Sequence, residues 1–215
     1  MQARFRAQST AAVLTVTLML TTAACGGDHD SSADGVGRGS EDARSNHNAA
    51  DVAFATDMIQ HHAQALSMVD LTMDRTLDPE VQALAESIRA AQAPEIELMA
   101  DWLVDWGEEI PATMRDHTHA GHDMGDMDDM GESLDGLDHD MPGMLSPEEL
   151  DALQDAPDPE FQTRWLESMI EHHEGAVEMA RTAQDDGAYA PAIDLAGSII
   201  ESQSAEINQM KELIG

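Results

Sequence analysis

The stretch "MIQHHAQALSM" at residues 58–68 recurs as "MIEHHEGAVEM" at residues 169–179, and this recurrence decides the fold. The two stretches lie 111 residues apart, and the same offset aligns residues 84–99 with residues 195–210 without a gap. This is an internal repeat of about fifty residues, in which each copy forms one supersecondary unit. We therefore expect the folded part of the 215-residue chain to consist of two related halves.

The first copy has the pattern of a helical hairpin. Apolar and small residues recur at intervals of three and four over residues 54–73, which is typical of an amphipathic helix. Asp78 and Pro79 then supply an N-cap and a first-turn proline for a second helix. Gly107 is a suitable residue to end this second helix after about residue 106.

The second copy predicts another helical hairpin. Asp158 and Pro159 repeat the capping pattern, "DDGAYAP" at residues 185–191 interrupts the helix, and a further helix is expected over residues 191–213. The sequence has few β-branched clusters and no alternating apolar runs, so no sheet is predicted. Four long helices joined by short loops make an all-α, antiparallel four-helix bundle built from two duplicated hairpins.

The N-terminus predicts an exported protein. Residues 1–24 have the pattern of a lipoprotein-type signal peptide, with Arg4 and Arg6 before a short apolar run that ends in "TTAAC". Cys25 stands where such a signal is cut and the new N-terminus is lipidated, so we expect attachment to the outer face of the cell membrane. Residues 25–49 are rich in Gly, Ser and Asp, which predicts a disordered tether.

The remaining residues, 50–215, are predicted to form the bundle. The first hairpin is placed at 51–107, a central loop and a short helix at 108–157, and the second hairpin at 158–215. The chain has 43 acidic and 10 basic residues, with a formal net charge of -33. Such a surface repels nucleic acid and attracts cations, which argues against a nucleic-acid partner and for metal ions.

Residues 114–145 form an unusual central segment. They contain six Met, four His and nine acidic residues but one Arg, and they show no helical period. We expect a Met/His-rich loop, followed by a short helix with a capping box between Ser146 and Glu149. A solvated acidic linker explains the Asp residues, but it does not explain the Met and His residues. The loop's candidate metal ligands are His117, His119, His122, Met124, Met127, Met130 and His139.

The duplicated helices carry thioether and imidazole groups at metal-ligand spacing. Met58 is three residues before His61 and four before His62, so it can share a helix face with either ring. Met68 lies roughly 10 Å further along the helix and cannot join His61 on one ion. Thioether with imidazole, in the absence of thiolate, suits Cu(I), whereas imidazole with carboxylate suits Cu(II). With the partner helices included, the candidate ligands are Met58, His61, His62, Met68, Met99, Met169, His172, His173, Met179 and Met210.

Other interpretations of these residues remain open. Met68, Met99, Met179 and Met210 are equally expected as core residues, because methionine fills irregular gaps between helices. The histidines also fit a hydrogen-bonded core. A further set of four polar residues on the partner helices either binds the metal directly or hydrogen-bonds the imidazoles from a second shell. These four are Gln92, Glu95, Gln203 and Glu206.

Enzyme motifs are largely missing. "HHEGAV" is not His-Glu-x-x-His, because Val177 stands at the last position. The Glu-x-x-His pairs of di-iron bundles are also absent, since Met58 and Met169 occupy the positions three before the histidines. No Gly-rich phosphate loop or nucleophile constellation is found.

Four strings resemble a known family: "DMIQHHAQALSM", "MPGMLSPEELDAL", "FQTRWLESMIEHHEGAVEMA" and "ESQSAEINQM". They are similar to the exported CopM-like family, known as domain of unknown function 305, over about residues 50–215. The resemblance implies a ferritin-like four-helix bundle outside the cytoplasm that binds copper and in some members supports copper tolerance. It adds Met141 and Met144 to the implied metal positions, whereas "GHDMGDMDDMGESLDGLDHD" lies outside the shared pattern.

Three hypotheses about function follow. The first is an extracytoplasmic protein that sequesters or relays Cu(I) and Cu(II), with other transition metals as alternative ions and a copper-transfer protein as a partner. The second is a metal-dependent oxidase, either a cuprous oxidase or a di-metal centre. The third is a structural bundle without metal. Binding without catalysis is the favoured expectation, because the enzyme motifs are missing.

Overall fold

A computed structural model describes residues 46–115 and 141–215, which fold as an all-helical bundle. Five helices lie wholly within these ranges, Met114 and Arg115 are also helical, and no residue of these ranges forms a strand. The predicted all-α class is confirmed. The helices are α1 (Ala49–Asp70), α2 (Pro79–Trp106), α3 (Pro147–Gln154), α4 (Asp158–Asp186) and α5 (Ala190–Ile214). The predicted signal peptide, the tether and residues 116–140 of the loop lie outside the described ranges.

The helices pair as the duplication predicts. Helix α1 packs against α2, α4 packs against α5, and the two hairpins meet along α1 and α4. The short α3 lies on α4. Within the two described ranges, no helix is both long enough and apolar enough to cross a membrane.

The helix ends partly differ from the predictions. Gly107 ends α2 with φ of +79°, and the capping box between Ser146 and Glu149 is present, so both expectations are confirmed. Asp78 stands at the N-cap of α2, but its side chain makes no capping bond and instead accepts a 2.8 Å hydrogen bond from Gln162. The prediction that Asp158 caps α4 is wrong. Pro157 occupies that position and Asp158 is already helical.

The start of α1 joins the two hairpins. Asn48 caps the helix in a capping box with Asp51, so α1 begins earlier than the apolar pattern alone indicated. The buried Asp51 carboxylate also accepts hydrogen bonds from the backbone N–H groups of Ala188 and Tyr189 in the α4–α5 loop, both 3.1 Å from Oδ2. A buried carboxylate needs such partners to offset its lost hydration.

The core consists of two apolar clusters, and the internal repeat relates the methionines of one cluster to those of the other. Each contains three methionines, two from one hairpin and the third from the other. The Met68 cluster contains Met68, Met169 and Met210, and the Met58 cluster contains Met58 and Met99 with the half-buried Met179 packed against them. An offset of 111 residues converts each set into the other. The bundle therefore has a pseudo-twofold axis between the hairpins, with one methionine set on each side.

Residues 141–145, here named the strap, cross α1 and α4. Gln64 is buried and holds the strap by two hydrogen bonds to the Leu145 backbone, of 2.9 and 2.7 Å. Gly175 lies under the strap, where an added Cβ would stand 1.9 Å from the Pro142 carbonyl oxygen. Gln64 and Gly175 are equivalent positions of the repeat. The two copies have therefore diverged where the strap crosses them.

Candidate metal centre

Four imidazoles meet in the middle of the bundle. His61 and His62 come from α1, His172 and His173 come from α4, and none is more than 1% exposed. The ring centroids of His61 and His172 are 3.8 Å apart, with the planes tilted by 43°. These two residues are equivalent in the repeat, so their rings meet across the pseudo-twofold axis. Since successive helical residues point about 100° apart, the other two rings face the partner helices.

Each of these outer rings is paired with a carboxylate. The Nε2 of His62 lies 2.7 Å from Oε2 of Glu95 on α2, and the Nε2 of His173 lies 2.8 Å from Oε2 of Glu206 on α5. A carboxylate that is ionised can only accept, so in each pair the Nε2–H donates, and Nδ1 is the ring nitrogen left to engage a metal ion. The expectation that Glu95 and Glu206 hydrogen-bond the imidazoles matches this geometry.

His61 has the same proton arrangement for a different reason. Its Nε2 lies 3.0 Å from the Pro142 carbonyl oxygen of the strap, and a carbonyl can only accept. Among the residues that the structure describes, His172 has no hydrogen-bond partner on either ring nitrogen, and the Nδ1 atoms of His61, His62 and His173 have none. Five of the eight ring nitrogens are thus buried without a partner. Native proteins rarely leave buried polar atoms in this state unless an ordered water, a ligand or an ion engages them.

Burial keeps the central rings neutral. Loss of hydration lowers the pKa of His61 to about 3, although the Pro142 carbonyl acts in the opposite direction. Burial also lowers the pKa of His172 well below 6.5, with further lowering from the neighbouring imidazoles and a weaker opposing effect of the His61 backbone. Neutral imidazole is the form that binds a metal ion, so these rings stay competent below neutral pH.

The methionines surround this histidine layer. Met58, Met68, Met99, Met169 and Met210 have no exposed surface, and Met179 is half-buried. Met58 and Met68 fall into different clusters, as the rise along α1 predicts. In the strap, Met141 is buried and Met144 is half-buried. These positions agree with core packing and with thioether donation alike.

The donor set suits a soft cation better than a hard one. Over residues 46–115 and 141–215, no three His, Cys, Asp or Glu side chains are grouped so as to hold a metal ion. The unpartnered imidazole nitrogens are instead accompanied by buried thioethers, which favour soft ions. The residues present therefore fit an ion that accepts nitrogen and sulfur ligands.

Two predicted residues do not contact the imidazoles by hydrogen bonds. Over residues 46–115 and 141–215, both amide atoms of the buried Gln92 and the Oε1 of Gln203 have no hydrogen-bond partner. Gln92 is thus not a second-shell partner of the rings in this structure, and the Oε1 of Gln203 is not one either. The loop candidates His117, His119, His122, Met124, Met127, Met130 and His139, together with Cys25, lie outside the described residues.

Sequence reasoning missed the strap as part of the centre. The Pro142 carbonyl and the Gln64 side chain carry no metal-binding signal in the sequence, although both determine how His61 is oriented. Gly175 offered one indication, because a glycine inside a helix can mark a close backbone approach. Its copy-one equivalent is Gln64, so the pattern of the repeat gave no reason to expect that contact.

Fold and site together define a class: a duplicated helical bundle with a buried imidazole and thioether centre. The model of one family, described as a domain of unknown function (DUF305), matches residues 51–214. The chain belongs to the DUF305 family, which confirms the family suggested by the sequence. A comparison with curated protein sequences gives no match.

Several solved structures are similar to the chain. A DUF305 fragment from Deinococcus radiodurans has 28% identity and a TM-score of 0.62, covering 79% of this chain and 98% of its own. A DUF305 protein from Streptomyces coelicolor, named as a candidate secreted protein, has 32% identity and a TM-score of 0.61, covering 76% and 91%. CopM in its Cu(II)-bound form has 30% identity and a TM-score of 0.57, covering 76% and 95%. CopM structures also include Cu(I)-bound and Ag-bound forms.

Proposed function

We propose that this chain is an extracytoplasmic copper-binding protein that sequesters or relays Cu(I) and Cu(II). The observation that carries the proposal is the group of five buried imidazole nitrogens without hydrogen-bond partners. They lie between two methionine clusters that the duplication relates. CopM, which is similar over most of the chain, is known in Cu(I)-, Cu(II)- and Ag-bound forms.

The proposed division of ligands follows from donor chemistry. Cu(II) prefers imidazole nitrogen, so it is assigned to the unpartnered imidazole nitrogens of this layer two at a time, because no three His, Cys, Asp or Glu side chains of the described residues are grouped around one ion. Cu(I) accepts thioether sulfur, so it is assigned to the methionine clusters together with the adjacent rings. Glu95 and Glu206 hold the outer imidazoles by their Nε2–H groups, which raises the basicity of the free nitrogen. Bound copper would give the buried nitrogens a partner, and the rings of His61 and His172, which burial keeps neutral, would bind it without losing a proton.

Location and capture complete the proposal. Lipid on Cys25 would hold the bundle at the outer face of the cell membrane, and the relative from Streptomyces coelicolor is named as a candidate secreted protein. The Met/His loop at residues 116–140 would capture ions weakly before the bundle binds them. The acidic surface, with a net charge of -33, would concentrate cations nearby. In the relay role, this chain would pass the ion to a copper-transfer protein.

The test is a metal titration of the metal-free protein that lacks residues 1–25. After desalting, the wild-type chain should retain Cu(I) and Cu(II) in fixed stoichiometry. The double variant His61→Leu with His172→Leu should lose Cu(II), whereas His47→Ala, a histidine outside the centre, should bind as the wild type does. A variant without residues 116–140 should keep the tightly bound ions. If the double variant retains copper as the wild type does, the assigned site is wrong.

Oxygen consumption distinguishes binding from an oxidase. A chain that stores or relays copper should consume no oxygen beyond the stoichiometric oxidation of the Cu(I) that is supplied. Sustained consumption through many turnovers with excess Cu(I) would replace the proposed function by a cuprous oxidase.

A further inference from the structure

The pseudo-twofold symmetry fails at one pair of methionines. Met68 has no exposed surface, whereas its equivalent Met179 is half-buried. Met179 packs against the Met58 cluster and also lines a surface groove of about 260 Å³ between α1 and α4. One methionine cluster therefore reaches solvent through a thioether. In the Met68 cluster, the equivalent methionine, Met68, is fully buried.

The groove is open where residues of the first copy have smaller side chains than their equivalents in the second copy. Ala50 lines the groove, and the equivalent residue at the other end is Phe161, which is fully buried. Phe54 lines it too, and its equivalent is Trp165, also fully buried. The larger side chains fill the space that the smaller ones leave open. The duplicated halves have thus diverged toward one open cluster and one closed cluster.

The closed end has an additional cover. Leu153 and Ala156, at the end of α3, pack with Phe161 in the Met68 cluster. The Arg75 guanidinium lies 4.1 Å from the centroid of the Phe161 ring and donates a 2.6 Å hydrogen bond to the Ala156 carbonyl oxygen. These two contacts hold Arg75, in the loop between α1 and α2, over this end of the bundle. Met68, in this cluster, has no exposed surface.

We propose that the groove beside Met179 is the port through which a soft cation enters and leaves the bundle. Asp57 lines the groove with a carboxylate that draws the cation in, and Met179 offers the first thioether. Met58 and Met99, in the same cluster, then receive the ion on the inner side. The port rests on the proposed function, because it assumes that the methionine clusters bind Cu(I).

A second opening provides the competing route. A larger cleft of about 580 Å³ lies between the strap, α3 and α4, lined by Met144, Ala152, Glu167 and Glu171. Among the described residues that line it, only Met144 of the strap carries a thioether, and none of the methionines of the two clusters lines it. An ion entering there would have to pass under the strap, which the two hydrogen bonds of Gln64 hold in place.

Filling each opening separately tests the port. Ala50→Phe introduces at the groove the residue found at the closed end, and Ala53→Leu narrows the same groove by a different side chain. Ala152→Phe, the matched control, fills the larger cleft. Each chain is loaded with Cu(I), and the transfer of the ion to a chromophoric Cu(I) chelator is followed in time. Neither groove variant removes a thioether, so the bound stoichiometry should be unchanged.

The two groove variants should slow transfer at least tenfold, and Ala152→Phe should transfer at the wild-type rate. Wild-type rates in both groove variants would overturn the port, as would slowing by Ala152→Phe alone. A wild-type chain that retains no Cu(I) after desalting would instead refute the proposed function.

Oxidation of the metal-free chain by hydrogen peroxide gives a second measurement that needs no copper. Peptide mass spectrometry should find sulfoxide at Met179 at least tenfold faster than at Met68, and Ala50→Phe should protect Met179. Equal rates at the two methionines would contradict an open groove.

Discussion

The contact between the strap and Gly175 permits a quantitative prediction. Alanine at position 175 would place Cβ 1.9 Å from the Pro142 carbonyl oxygen and 2.8 Å from the Gly143 nitrogen. Carbon and oxygen at such a contact need a separation of about 3 Å or more, so the strap must move outward by at least about 1 Å. The obstructing atoms are backbone, so no side-chain rotation can relieve the clash. Gly175→Ala therefore displaces the strap from α4.

This displacement breaks a defined set of hydrogen bonds. The two bonds between Gln64 and Leu145 and the bond from His61 to Pro142 are 2.7 to 3.0 Å long, and an extra 1 Å takes them outside hydrogen-bond range. Three such bonds contribute about 3 kcal/mol to the free energy of unfolding. The better helix propensity of alanine returns about 1 kcal/mol. We expect a net loss of about 2 kcal/mol.

Gly197→Ala is the matched control for this experiment. Gly197 is also a glycine inside a helix of the second hairpin, but an added Cβ would meet only the Nε2 of Gln184, at 3.0 Å, which is the end of a flexible side chain. This variant should be more stable than the wild type by up to about 1 kcal/mol. Urea unfolding of the metal-free chains, followed by circular dichroism, measures both. If Gly175→Ala equals or exceeds Gly197→Ala in stability, the strap contact is refuted.

Three further predictions concern the centre. Glu206→Gln removes the charged partner of His173 and should weaken Cu(II) binding about 10- to 100-fold, measured by chelator competition; unchanged affinity would exclude the carboxylate from the site. Met210→Leu keeps the side-chain volume, so it should cost less than about 1.5 kcal/mol of stability while lowering Cu(I) affinity and sparing Cu(II), and equal losses for both ions would argue against thioether ligation. Burial holds the pKa of His61 at about 3 and that of His172 well below 6.5, so on acidification the unfolded chain takes up protons before the folded chain does. Without metal, the free energy of unfolding should therefore decrease as the pH is lowered from 6.5, by about 1.4 kcal/mol per pH unit for each such histidine. His172→Leu should reduce this slope by one histidine's share in urea unfolding at pH 6 and pH 5, and an unaltered slope would mean that His172 is not held neutral.

Most of the fold could be predicted from the sequence because its signals are local. Helical periodicity, the glycine after α2 and the capping box at Ser146 each involve residues within a few positions of one another. The predicted cap at Asp158 is wrong because sequence patterns locate helix ends only approximately. Pro157 takes that position instead. The repeat places the His-His pairs at equivalent points, which is why the sequence predicts them as metal ligands.

The repeat itself determined that two helical hairpins form and that imidazole and thioether groups occupy matching positions in each. Only the tertiary structure decided which ring nitrogens stay unpartnered, that His61 donates to Pro142, and that Met179 opens to solvent while Met68 does not. The physical reason is distance along the chain. The contact between His61 and Pro142 joins residues 81 positions apart, and the difference between Met68 and Met179 depends on residues of the opposite hairpin. Helical periodicity contains no information about either contact.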